Sequence, residues 1–217
     1  MSEAVDKYWA LRLNNCRQAL EKNNFQAFIA DDPVQAKKII RDQILPGLAV
    51  KTVSWGDSMT LHATGVLEYF KHNPDFNLIE TFDDRVPRRQ IMEMRRQALL
   101  VDLFCTGSNA ITETGILVNL DMVGNRVAGL TFGPRHVVIT AGRNKIVPDM
   151  EAAMARIKAV AAPMNAIRHA YKTPCVKTAH CQECKSPQRI CNVWTLTEKS
   201  YPKDRIKVIL INRDLGL

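Results

Sequence analysis

The chain has 217 residues, 46% of them hydrophobic and 24% charged, with a formal net charge of +8. That balance excludes a disordered chain, and the length suits one domain with a sizeable core. No uncharged apolar run approaches the roughly 18 residues that cross a bilayer, which excludes a helical membrane protein.

The opening Met1–Asp6 is acidic and lacks the cationic start of a secretory signal, so a cytoplasmic location is expected, where thiols stay reduced. The charge is uneven: from Pro163 onward ten lysines and arginines face four acids, a surplus of six out of the total +8. Such a basic quarter attracts anionic metabolites, acidic partners or nucleic acid. No helix-turn-helix, paired zinc knuckle or RNP-type aromatic pattern accompanies it, so nucleic acid is not expected.

Residues 3 to 23 carry Val5, Trp9, Leu13, Cys16 and Leu20 at helical spacing, which makes Cys16 a core residue without chemistry. A short apolar strand, Phe25 to Ala30, precedes Asp31-Asp32-Pro33, whose acids and proline start a second helix carrying Ala36, Ile40 and Ile44. Ala49 to Trp55 is a strand that passes through Gly56-Asp57-Ser58 into a helix from Met59 to about Phe70. A strand entering a helix this way can present backbone N–H groups to an anion, or Ser58 or Asp57 can simply cap the helix. The Asp57 charge disfavours phosphate. Asn77 to Glu80 is a third strand, and the arginine-rich stretch 85 to 96 has the pattern of a solvated helix face. Leu99 to Cys105, apolar except for Asp102, suits a buried parallel strand.

The loop Thr106 to Gly115 follows that strand with four hydroxyls, one amide and one carboxylate. Open α/β sheets bind ligands at this end of a strand. Glu113, the only carboxylate of the loop, is the candidate acid, base or nucleophile, and Gly107, Ser108 and Asn109 are candidate ligand contacts. A polar turn bonding its own backbone is the competing reading. Ile116 to Asn119 and Arg126 to Ala128 are expected as short strands about a turn at Asp121–Asn125. His136 to Ala141 is another buried strand, and Arg143 and Lys145 stand at its carboxyl end, where they can hold a carboxylate or phosphate. Met150, Met154, Ile157 and Ala161 form a helical stripe of core type. Val193 to Leu196 and Ile206 to Asn212 complete the strands. Alternating strands and helices define an α/β fold with a mostly parallel sheet and helices on both faces.

Four of the six cysteines, Cys175, Cys181, Cys184 and Cys191, fall between Thr173 and Asn192 on a proline-interrupted segment. Thiolates on an irregular segment can fold around a metal. A 4Fe–4S cluster and a structural zinc both take four thiolates; only one Cys-x-x-Cys is present, fewer than the usual zinc site has. His180 is a substitute ligand. Paired disulfides or four unconnected thiols are the bland alternatives. Lys172, Lys177, Lys185 and Arg189 would lower the thiol pKa and offset the charge of a metal site.

The segments GSNAITETG (107–115), DMVGN (121–125), GRNKIVPD (142–149), the cysteine stretch and the closing RIKVILIN (205–212) resemble the LUD, or lactate-utilization, family over about residues 45 to 217. The resemblance implies one α/β domain over residues 1–217, with a helical portion at 1–45 and the cysteine segment at 173–192. It also implies a fold like that of CoA transferases and ribose-5-phosphate isomerases. On that resemblance Gly56, Ser58, Gly107, Asn109, Glu113 and Lys145 line one pocket, with Glu113 and Lys145 the catalytic pair.

The function implied is a redox component or accessory subunit of L-lactate oxidation, or of a related hydroxy acid. It would bind a small anionic metabolite or nucleotide together with an iron–sulfur cluster. Iron–sulfur protein subunits of a lactate-oxidising complex and a second copy of this chain are the candidate protein partners. The alternatives are a transferase or sugar-phosphate isomerase with a structural zinc, and a non-catalytic protein that docks through its basic quarter.

Overall fold

The computed structural model describes residues 3–217; Met1 and Ser2, the start of the acidic lead-in, lie outside them. In chain order the helices and strands begin with α1 (Glu3–Lys22), β1 (Gln26–Ala30), α2 (Pro33–Ile39), β2 (Thr52–Trp55), α3 (Met59–Thr64), α4 (Val66–His72) and β3 (Asn77–Ile79). Next come α5 (Arg88–Gln97), β4 (Leu103–Gly107), β5 (Ala110–Thr112), β6 (Leu117–Asp121), α6 (Asn125–Thr131), β7 (His136–Gly142) and β8 (Ile146–Val147). The last are α7 (Met150–Arg156), α8 (Ala162–Arg168), α9 (Cys175–Thr178), β9 (Val193–Thr197) and β10 (Ile206–Ile211).

Six strands pair in the order β1-β10-β7-β4-β2-β3, every pair parallel. The interior strands β7 and β10 are buried almost throughout, in keeping with apolar runs that only Thr140 and Lys207 interrupt. Helices cover both faces. On one, α2, α3 and α4 bring Ile39, Leu61 and Phe70 against Val53 and Leu103. On the other, Leu13, Cys16 and Leu20 of α1 meet Val137, Ile139 and Leu210. This is the α/β architecture that the alternation of strands and helices predicts.

Four further strands form a second, mixed sheet in the order β8-β5-β6-β9. β5 begins only two residues after β4 ends, so the Gly107–Asn109 loop is the hinge between the two sheets. A third apolar cluster lies under the second sheet, where Val118 packs with Ala153, Ile157 and Ala166, and partly buried Cys175 and Cys191 adjoin it.

Local expectations differ from the fold in four places. Arg126 to Ala128 is not a strand: it lies in α6, because the Asp121 carboxylate accepts hydrogen bonds from the Arg126 and Val127 N–H groups, at 3.1 and 3.2 Å, and so caps a helix. The strand expected at 99–105 starts later. A 3₁₀ turn occupies Ala98–Leu100, and Asp102 ties down the entry of β2 by accepting from the Lys51 and Thr52 N–H groups. Gly65, at φ 66°, splits the expected 59–70 helix into α3 and α4. Met154 of the methionine stripe is exposed, while Ile157 and Ala161 are buried. Among the described residues no helix is long and apolar enough to cross a membrane.

Candidate functional site

Because β2, β4 and β7 are parallel neighbours, the residues after each of them gather along one edge of the large sheet. A cavity of about 680 Å³ opens there, between the strand ends, α5, α8 and the Pro187–Ile190 part of the cysteine segment. Crevices at the carboxyl edge of an open sheet are where such folds bind ligands.

Lys145 is a buried cation of the cavity wall. It is 5% exposed, and its Nζ donates to the Thr60 hydroxyl at 3.0 Å. Burial pushes its pKa down to about 7, helped by the charges of Arg156 and Arg126. Arg126 crosses the loop hinge, donating to the Gly107 and Leu120 carbonyls and to the side-chain oxygens of Asn109 and Asn119. Arg156 donates to the carbonyls of Asn144 and Asn109. Every hydrogen-bond partner of these three cations is neutral, and no carboxylate forms an ion pair with any of them among the described residues. Arg126 draws charge support from Asp121 and Asp57 without touching them, whereas Lys145 is acted on only by the opposing Arg156 and Arg126. A buried cation with no compensating acid attracts an anion.

The rest of the loop is shaped by this arrangement. A Cβ on Gly56 would lie 2.8 Å from Arg126 Cγ, and one on Gly107 would collide with the Ser58 hydroxyl, so both positions need glycine for close approach. Ser58 caps α3 by accepting from the Leu61 N–H at 3.2 Å, and the Ser108 hydroxyl donates to the Ala110 carbonyl at 2.9 Å. The capping reading of Ser58 describes its bonds, although both serines line the cavity. Asn109 is a node of the network, receiving Arg126 and the Leu120 N–H on Oδ1 and Arg156 on its carbonyl.

Of the residues expected to share the pocket, Ser58, Gly107, Ser108, Asn109 and Lys145 line the cavity, while Gly56 packs behind Arg126. Glu113 lies elsewhere. Its carboxylate pairs with Arg12 of α1 at 2.9 Å and is not part of the cavity wall, because β5 carries it away from the sheet edge. The expected pairing of Glu113 with Lys145 in one pocket is therefore corrected: the two do not meet. Arg143 is also turned away, donating to Asp214 at 2.9 Å and lying 4.8 Å from the centre of the Trp9 ring.

The sequence reading missed several members of the site. Thr60 and Arg126 give little local signal. Arg88 and Arg95, from the stretch expected to be a solvated face, line the cavity. Asp57 is not the bare repulsive charge its position suggests. Burial alone would raise its pKa, but bonds and charges from Arg168 and His169 outweigh that and hold it below the usual carboxylate range.

The four clustered cysteines are all free and half-buried, with Pro187, Gln188 and Ile190 between them and the cavity. They match a metal site in kind. The Cys191 thiol is pushed up by burial, opposed by Lys158 and raised further by Cys181 and Cys175. As placed they do not fit, since among the described residues no three His, Cys, Asp or Glu side chains gather closely enough to hold a metal ion. Cys16 and Cys105 are inert, their thiols pushed up to about 12, chiefly by burial.

By fold the chain is an α/β protein with a parallel six-stranded sheet and a charged cavity at the carboxyl edge of that sheet. The family model of the LUD domain matches residues 13–211, and the chain belongs to the LUD domain family. Among solved structures it is similar to a DUF162 family protein from Deinococcus radiodurans, at 12% identity and a TM-score of 0.49, over 94% of this chain and 98% of that one. No curated protein matches it.

Proposed function

We propose that this chain binds a small anionic metabolite or nucleotide in the Lys145 cavity. In that role it serves as a redox component or accessory subunit in the oxidation of L-lactate or a related hydroxy acid, in the cytoplasm. The observation that supports the binding half is the burial of Lys145 in a cavity wall that it shares with Arg126, neither of them paired with a carboxylate. An anion seated there supplies the missing counter-charge. Arg126 and Arg156 keep their charge at any physiological pH, whereas Lys145, poised near neutrality, either holds the anion or exchanges a proton with a ligand hydroxyl. The hydroxy-acid half rests on the family resemblance of the sequence. Glu113, remote from the cavity, gives no support to a transferase or isomerase that needs a carboxylate nucleophile.

An anion beside Lys145 raises that group's pKa, so binding takes up a proton between the free and bound values. Oxalate, fully ionised throughout, is expected to bind most tightly below about pH 7 and to weaken by up to about tenfold per unit above it. Calorimetry from pH 6 to 9 checks this; affinity independent of pH would contradict the assignment of Lys145.

The redox half also needs an electron carrier. An iron–sulfur cluster, when bound, supplies one-electron transfer, and Cys175, Cys181, Cys184 and Cys191 are the only thiols of the chain outside the core. As the cysteine segment must rearrange to gather them, no step is derived through the group. Anaerobic reconstitution with ferrous iron and sulfide is expected to give a brown protein that dithionite bleaches, with the colour lost in Cys184→Ser. A colourless product would remove the resident cluster and leave electron transfer to partner subunits carrying their own.

A further inference from the structure

The same cavity has a second charged wall. Arg95, on α5, is half-buried with its guanidinium 5.0 Å from the centre of the Phe82 ring. Its Nε makes no hydrogen bond among the described residues, and no carboxylate forms an ion pair with it. Asp121 and Asp57 lie near enough to support its charge without touching it, while Arg88 opposes it. Beside Phe82, Thr81 is 1% exposed and its hydroxyl likewise has no partner. Arg95, Thr81, Phe82 and Arg88 all line the cavity.

Leaving buried polar groups unpaired costs about 1–3 kcal/mol each, and more for a charge. A ligand that bonds to such groups relieves that cost, and Arg95 and Thr81 are the two unpartnered groups that line the cavity. The nearby Asp83 carboxylate is held by Arg85 at 2.8 Å, and Asp84, which also lines the cavity, makes no ion pair with Arg95 among the described residues. This wall is distinct from the inner one by topology: Thr81 follows β3 at the edge of the sheet, and Lys145 follows β7, three strand positions away. Asp121 and Asp57 act on both Arg126 and Arg95. The lining also carries the apolar side chains of Ile91, Met92, Leu120 and Ile157.

The geometry points to a second anion-recognising pole at Arg95 and Thr81, and so to a ligand with two separated anionic groups joined by a less polar middle. This rests on the reading of the Lys145 cavity as an anion site and narrows its substrate class. A three-carbon monocarboxylate fills only a small part of 680 Å³ and reaches one pole; a longer dianion reaches both.

The test is calorimetry with malonate, succinate, glutarate and adipate against the monocarboxylates of the same lengths. At least one diacid is expected to bind about tenfold tighter than its monoacid, the value of one charge-assisted hydrogen bond. Arg95→Gln and the near-isosteric Thr81→Val should each erase that preference while leaving monoacid affinity unchanged; neither residue makes a side-chain hydrogen bond in the fold that the change would break. Monoacids that bind through Lys145 with no preference for diacids overturn the second pole alone. So does an Arg95→Gln variant that weakens both classes equally. If no carboxylate of either class binds, and Lys145→Met changes nothing, the anion site itself fails and this inference with it.

Discussion

Lys145→Met is expected to make the unliganded protein more stable at pH 6, even though it removes a buried hydrogen bond. In the fold the Lys145 ammonium has only the Thr60 hydroxyl, and burial brings its pKa from 10.5 down to about 7. Between those values the unfolded chain binds the extra proton, so stability rises with pH across that window. Below about pH 7 the native state carries the full cost of a buried charge, on the order of 3–5 kcal/mol from the size of the shift. Methionine keeps the unbranched shape without the charge, and Thr60 retains its bond to the Leu215 carbonyl at 3.2 Å. A net gain of about 2 kcal/mol at pH 6, shrinking toward pH 10, is expected in urea melts, together with a roughly hundredfold loss of oxalate affinity. A variant less stable than wild type at pH 6 would show that Lys145 is already satisfied inside the fold.

The opposite sign is expected for Arg126→Met. Its guanidinium donates four hydrogen bonds, to the Gly107 carbonyl at 3.2 Å, Asn119 Oδ1 at 2.7 Å, Asn109 Oδ1 at 2.9 Å and the Leu120 carbonyl at 3.0 Å. These bonds join the end of β4 to β6, across the hinge between the two sheets. Burial lowers the Arg126 pKa, but a guanidinium stays charged, and both of its NH2 groups are engaged. Removing it strands several buried acceptors and opens space beside Gly56, at a cost of about 3–5 kcal/mol. Urea denaturation measures this directly, and a loss below about 1 kcal/mol would mean that water replaces the guanidinium without strain. Two buried cations in one cavity thus respond oppositely: the poorly bonded one is held for a ligand, the well-bonded one for the fold.

How far the sequence carries can be judged from the same residues. Val137–Ala141 and Ile206–Ile211 are legible as central strands because burial on both faces leaves no polar alternation. Lys145 is legible because it follows such a strand. Arg126 is not, since Gly124-Asn125 begins a helix as readily as it turns a hairpin, and the deciding contact is the Asp121 carboxylate on N–H groups five and six residues later. Arg95 has the look of solvated surface because its wall of the cavity exists only once α5 stands across from α8, elements about seventy residues apart. Glu113 draws attention by its chemistry and by the family resemblance; the backbone pairing of β5 with β8, together with Arg12, decides where it points. The family resemblance of the loop carries no such geometry.

The most direct measurement is the number of protons taken up when oxalate binds, obtained by calorimetry at about pH 7.5 in two buffers of different ionisation enthalpy. An anion held by Lys145 requires an uptake of between about half and one proton. Binding with no proton uptake, or no binding at all, would contradict the assignment of this cavity as an anion site built on that lysine.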